Sequence, residues 1–356
     1  MSCLAITVFL ISTLPALAAE GAIPIFEPIT ITEPGHYVVT RNISSSSPII
    51  TINSSRVDID LNGFVLTGGT TAPVITGSTV QDVRIHDGSV VAGNIGIVFE
   101  LCGHITIENT VVRGAAGAGI QLTESEYTVR RCTIAAGLQA INAVASFGTP
   151  GTIAENTIKE CGTGAVTTEC VLAQGGYGVT IRDNKFVGIV YGRNGIRLNS
   201  SPSSSVSGNC FYDLGGDELQ TAIRIQSSWG VSVEANASWA PIVLEAAEST
   251  IVSNNQVSTI YIDLNSHANM ILRNTTMGGG GYPGVEVDGD RNWIEANVHD
   301  YGYGIWFTST SDGNVYAGNV ARGGTASGCT GTATTNFCDE GTGNTSNGDN
   351  YMPAKM

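Results

Sequence analysis

Basic residues are scarce: 16 Lys and Arg stand against 31 Asp and Glu, for a formal net charge of −15. Nucleic acid is thereby excluded as a partner, since binding it requires a basic footprint. No Cys-x-x-Cys pair occurs and the five His stand singly, so a structural zinc site is excluded. Beyond residue 19 no stretch has an apolar 3.6-residue period of helical length, and none is apolar enough to cross a membrane. Aromatic residues make up only 7% of the chain and charged residues 13%. What is plentiful is Gly, 45 of 356 residues, with much Ser, Thr and Asn. That composition suits a turn every few residues.

Asparagine recurs in the local pattern apolar-x-x-Asn-x-apolar, as in IAENTI (153–158), IRDNKF (181–186), VSGNCF (206–211) and VSNNQV (252–257). The slot is filled by Asn62, Asn109, Asn156, Asn184, Asn209, Asn236, Asn255, Asn274, Asn297 and Asn319, with Asp87 and Cys132 as substitutes. From Asn62 to Asn319 is 257 residues in eleven steps, about 23 per step, which is a solenoid period. A second signal runs in phase with it. Roughly ten residues after each Asn comes a segment Gly-apolar-x-apolar, such as Gly195-Ile196-Arg197-Leu198 or Gly284-Val285-Glu286-Val287. Both segments alternate with period two, so each reads as a strand with one buried face. Stacked coils then pair their strands in parallel, and the repeating Asn forms a structural ladder of amides at one corner. The expected fold is an all-β parallel β-helix of about twelve coils over 49–321. Residues 20–48 form an N-terminal cap and 322–356 a C-terminal cap and tail.

Residues 1–19 are apolar and end in small residues, the pattern of a secretory signal cleaved near Ala18 or Ala19. The expected location is therefore secreted or periplasmic, with no membrane span after cleavage. In an oxidising compartment, Cys161/Cys170 and Cys329/Cys338, each pair nine residues apart, are candidate local disulfides.

The segments TEPGHYVVTRNI (32–43) and VDIDLNGFVLTGG (57–69) resemble the opening of exported bacterial right-handed parallel β-helix proteins of the pectate-lyase-like superfamily. RNWIEANVHDYGYGIWF (291–307) and GNVYAGNVARG (313–323) are similar to their late coils. The resemblance spans about 29–325. It implies the right-handed fold and a site on the outer face of the Gly-apolar-x-apolar sheet, under the loops that lead into it. It does not imply a reaction, because the sharp motifs of polygalacturonases, uronate epimerases and classical pectate lyases are missing.

The outward positions of that sheet form columns. One column reads Thr167, Arg197, Arg224, Val243, Tyr261, Glu286 and Trp306. The other reads Thr168, Asn199, Gln226, Glu245, Asp263, Asp288 and Thr308. Arg197 and Arg224 fall on adjacent rungs. Either a substrate carboxylate lies between them, or the loop Asp213, Asp217, Glu218 supplies the counter-charge. Glu245, Asp263 and Asp288 follow on three successive rungs. Stacked carboxylates repel, which points to a shared cation, to raised pKa values, or to a solvated acidic edge. Expected roles are Glu245, Asp263 and Arg224 in catalysis, Arg197, Tyr261, Glu286 and Trp306 in substrate binding, and Asp263 with Asp288 as ligands to Ca²⁺. Asp58-Ile59-Asp60-Leu61-Asn62-Gly63 opens like an EF-hand loop, but the interleaved Val57, Ile59 and Leu61 make it a strand.

Two functions remain open. One is a lyase or hydrolase acting on an acidic polysaccharide. The other is a non-catalytic extracellular β-helix protein with a structural or adhesive role.

Overall fold

The computed structural model describes residues 21–146, 148–161, 169–188, 194–212, 221–277, 282–300, 303–322, 337–348 and 350, and the backbone of 332–334. Its described residues form strands, turns and bends, with no helix among them. None of them lies in a helix long and apolar enough to cross a membrane. The strands stack coil on coil in parallel, as period-two alternation predicts. On the second sheet Ile196 pairs with Ile223, Ile223 with Ile242, Ile242 with Ile260, and Ile260 with Val285. All five side chains are fully buried. Like residues therefore stack in columns along one continuous core, including Phe186 on Phe211 with ring centroids 4.5 Å apart.

Glycine before the apolar residue has a steric cause. A Cβ at Gly195 would stand 2.3 Å from the Phe211 ring and 2.7 Å from the Ala222 carbonyl. Gly195 and Ile196 both face inward where the chain enters the sheet, and only one of them has room for a side chain.

The asparagine corner is a hydrogen-bond relay. Asn184 Nδ2 donates to Ile153 O at 2.9 Å and to Asn209 Oδ1 at 3.0 Å. Its backbone N–H also donates to Asn209 Oδ1, at 3.0 Å. The same pattern recurs at Asn156, Asn209, Asn236, Asn255, Asn274, Asn297 and Asn319, ending on Asn350. The turn takes each backbone N–H out of the strand ladder, and the next coil's amide oxygen replaces the lost partner. A second, shorter column, Asn269–Asn292–Asn314–Asn344, does the same at another corner.

Asn62 and Asn109 do not belong to the relay. Both are exposed, with φ of 50° and 49°. The pairings Val111↔Thr133 and Thr133↔Thr157 align Asn156 with Cys132 and Thr110, one residue beyond Asn109. The reason is local. Strands Gln81–Val91 and Gly103–Ala115 run through this corner unbroken, bent at the corner itself by a left-handed residue, Asp87 or Asn109. Short polar side chains tolerate that conformation best. These through-running strands join two faces of the early coils into one 21-stranded sheet.

Early coils are further tied by Glu108, which is only 1% exposed and receives Arg84, Arg130 and Arg131, each at 2.6–2.7 Å. Burial alone would raise this carboxyl, but the three guanidinium hydrogen bonds bring it down to about 2.

Two outcomes are expected. Asn184→Ala should cost roughly 1–3 kcal/mol, because it strands a buried N–H and a carbonyl, whereas Asn62→Ala should leave the melting temperature nearly unchanged. A depressed carboxyl stabilises above its unfolded pKa and loses that stability as pH falls toward the folded value. Acid titration of the melting temperature should therefore show a decline from about pH 4.5 toward 2 that Glu108→Gln largely abolishes, worth at most about 3 kcal/mol given the half-exposed guanidiniums.

Candidate functional site on the second sheet

The second sheet runs from Ile29–Ile31 to Phe337–Asp339, and its outer face carries the candidate residues. Register places Arg197 beside Arg224, then Val243, Tyr261, Glu286 and Trp306 on successive rungs. Below Arg197 the column continues to Leu172, and below Asn199 to Gln174, rather than to Thr167 and Thr168. Those threonines lie outside the described residues, and the strand is Glu169–Gln174. Its second residue, Cys170, is bonded to Cys161 with a Cα separation of 5.4 Å. Cys338 is also disulfide-bonded, while Cys329 lies outside the described residues.

Arg197 has its counter-charge within the sheet. Its Nη1 lies 2.6 Å from Glu169 Oε1, and its Nε donates to Gln226 Oε1 at 3.0 Å. Glu169 is a residue the sequence reading missed, although it directly precedes a disulfide cysteine on the strand and is 4% exposed. Arg224 is held more loosely. Its Nη2 lies 3.4 Å from Glu245 Oε1, and its buried Nε has no hydrogen-bond partner among the described residues. Asp213, Asp217 and Glu218 lie outside the described residues.

The three late acids are not an unsupported stack. Glu245 faces Arg224. Asp263 Oδ1 accepts from the N–H groups of Ala246 at 3.0 Å and Asn265 at 3.1 Å, and from Ser266 Oγ at 2.6 Å, so it holds a turn. Asp288 Oδ2 accepts from the Tyr261 hydroxyl at 2.5 Å. Burial, then this hydrogen bond, push the Tyr261 phenol above its ordinary value. Glu286 is raised above the usual carboxylate range, first by burial and then by the charge of Asp288. Asp87 and Glu108, in the early coils, are shifted the other way. Trp306 tilts against Tyr303, with centroids 5.7 Å apart, and its buried Nε1 has no partner among the described residues.

Within the described residues, the one group of three ligand-bearing side chains close enough to share a cation is Asp60, His86 and Asp87, in the early coils. His86 is already engaged there, Nδ1 with Asp87 at 2.7 Å and Nε2 with Asp58 at 3.1 Å. Hydrogen bonding from His86 is the main cause that lowers Asp87.

This constellation can hold an anion at Arg224, donate a proton from Glu286 and present Asp288 hydrogen-bonded to a phenol. The carboxyl resonance of Glu286 in ¹³C NMR should titrate above the ordinary glutamate range. Asp288→Asn should lower that midpoint by removing one of its two causes while leaving burial intact.

The sequence matches the profile of the family described as right handed beta helix region, over residues 29–169 and 62–337. No curated protein matches it. Among solved structures it is similar to the Dettilon tailspike protein, with 15% identity and a TM-score of 0.50 over 80% of this chain and 60% of that one. It is also similar to the A-module of the Azotobacter vinelandii mannuronan C-5 epimerase AlgE6, with 10% identity and a TM-score of 0.42 over 85% of this chain and 88% of that one. A DFA-IIIase variant from Arthrobacter chlorophenolicus A6 in complex with DFA-III gives 12% identity and 0.41 over 85% of each chain. At these identities the likeness is one of fold.

Proposed function

Since the chain belongs to the right-handed beta helix family, we propose that it is an exported carbohydrate-processing protein. In this reading it acts as a lyase or hydrolase on an acidic polysaccharide across the outer face of the second sheet. The observation that carries the reading is the run of four successive rungs that bears an incompletely paired guanidinium, Arg224, then Val243, then Tyr261 with its hydroxyl on Asp288, then a raised carboxyl, Glu286. A glycosidic bond, whether eliminated or hydrolysed, breaks more easily when its leaving oxygen receives a proton. Glu286, raised first by burial and then by the charge of Asp288, is the group assigned to supply that proton. Arg224, with Glu245 beside it, binds a uronate carboxylate, and Arg197 helps position the ligand from the neighbouring rung. Asp263 supports the turn that ends the Glu245 rung. Asp263 and Asp288 would be the residues to hold a Ca²⁺ ion, which would supply positive charge to a uronate carboxylate. Export is supported by the Cys161–Cys170 bond, which persists outside a reducing cytoplasm.

The test is incubation of purified protein with polygalacturonate, alginate and glucuronan, with and without Ca²⁺. Ultraviolet absorbance follows unsaturated product, and reducing ends report hydrolysis. Glu286→Gln should lower turnover about 10²- to 10⁴-fold while the protein still binds, and Arg224→Ala should weaken binding. Because Glu286 acts as an acid, activity should fall as pH rises through its elevated pKa. Wild-type turnover in Glu286→Gln would overturn its role. Binding without turnover by the native protein would instead favour the adhesive alternative.

A further inference from the structure

An exposed indole or phenol on a solenoid flank needs a reason, because these rings bury large areas when they have a partner. The exposed Tyr and Trp among the described residues are Tyr177, Tyr212, Trp229, Trp239 and Tyr282, at 54%, 50%, 55%, 73% and 62% exposure. Their placement is not scattered. Tyr177 and Trp229 each stand three residues past a strand of the second sheet, after Gln174 and Gln226. Trp239 and Tyr282 each stand three residues before one, ahead of Ile242 and Val285. Tyr212 is the last described residue before the strand Thr221–Gln226. Tyr177, Trp229, Trp239 and Tyr282 thus flank the part of the sheet that holds Arg197, Arg224 and Glu286, whereas Tyr212 ends a strand of the first sheet under Lys185.

Two of these residues bracket the Arg224 rung along the strand direction. Trp229 follows the strand of Arg224. Trp239 precedes the next strand, on which Val243 pairs with Arg224. Both backbones are fixed. Trp229 O accepts from Ser203 N–H at 2.9 Å, and Trp229 bridges to Glu248. Ser238 Oγ accepts from Ala240 N–H at 2.9 Å, which closes the turn with Trp239 on it. Rings set on ordered turns offer stacking area at little entropic cost. Pyranose rings are the matching ligand. One face of a pyranose presents C–H bonds that lie flat on an aromatic ring, while its rim of hydroxyls and any carboxylate remain free for the Arg between.

Resting on the reading of this sheet as a polysaccharide site, we propose that Trp229 and Trp239 are the two end platforms of one glycan-binding strip. Each seats the C–H face of a pyranose residue, with Arg224 between them. The polysaccharide then lies along the strands, perpendicular to the solenoid axis. The six-residue strand Thr221–Gln226 and the three residues on to Trp229 bound the strip at on the order of 30 Å.

Affinity electrophoresis through gels containing polygalacturonate, alginate or dextran tests this. Native protein should be retarded by an acidic polysaccharide. Trp229→Ala and Trp239→Ala should each weaken retardation about three- to tenfold, and the double variant by roughly the product. Trp293→Ala, on the first sheet, should behave as native. Melting temperatures should stay unchanged, since both rings are exposed. Native-like retardation of the two Trp variants, with loss in Arg224→Ala, would overturn the strip and leave the charged site standing. Loss in the Trp variants, with native behaviour in Arg224→Ala, would retain the platforms and remove the guanidinium from the reading. Loss in Trp239→Ala and Tyr282→Ala with none in Trp229→Ala would turn the glycan along the axis and overturn the proposal. Absence of retardation of the native protein in every gel would overturn both the strip and the polysaccharide reading.

Discussion

The geometry of this protein depends on what happens to a backbone N–H when a strand turns a corner inside a stack of coils. Within a parallel sheet each N–H finds a carbonyl on the next rung. At the corner it does not, and the turn is buried. Asparagine resolves the conflict because its amide is both acceptor and donor. Its oxygen takes the N–H and the side-chain amide of the coil below, and its own Nδ2 reaches a carbonyl such as Ile153 O. Each amide is thus partnered only when the neighbouring coils are in register. The relay therefore fixes register as well as supplying bonds, and rigid register makes outward side chains on different coils dependable neighbours.

Rigid columns make chemistry possible on a face with little charge. The Glu169–Arg197–Gln226 chain spans three rungs, and the Arg224–Glu245 pair spans two. Arg197 is well satisfied and orders the sheet, whereas Arg224 keeps a buried Nε without a partner among the described residues. Two residues of one type on adjacent rungs thus have different capacities to take a ligand. Similar logic separates the late acids. Asp263 is spent on its turn, Asp288 is hydrogen-bonded to Tyr261, and Glu286, between buried surroundings and a charged neighbour, is the one driven toward its neutral form.

The early coils use a different solution. Unbroken strands carry the chain through the corner on single left-handed residues, and the charged groups there tie coils to each other. Glu108 with three arginines, and His86 among Asp58, Asp60 and Asp87, illustrate this. Their partners are already in place, so the acidity that looks available in sequence is largely committed to the fold.

The sequence by itself determined the solenoid, its period, the inward and outward faces and the adjacency of Arg197 with Arg224. These follow from strand alternation and from the recurrence of the Asn slot, even though its spacing is 27 residues at Asn209–Asn236 and 19 at Asn236–Asn255. It could not decide where the repeat slips. Asn109 resembles a ladder position in pattern, but a continuous strand moves the corner by one residue, and only the pairing register reveals it. Nor could it decide which charges are satisfied. Glu169 reaches Arg197 from 28 residues away because stacking brings their coils together, and Glu286 acquires its character from burial. The rim of exposed aromatics was equally hidden, since Trp229 and Trp239 are ten residues apart in a stretch without strong pattern. Local pattern is set by side-chain period, which the sequence carries. Pairing, burial and the fate of each charge are set between coils, and only the tertiary stack decides them.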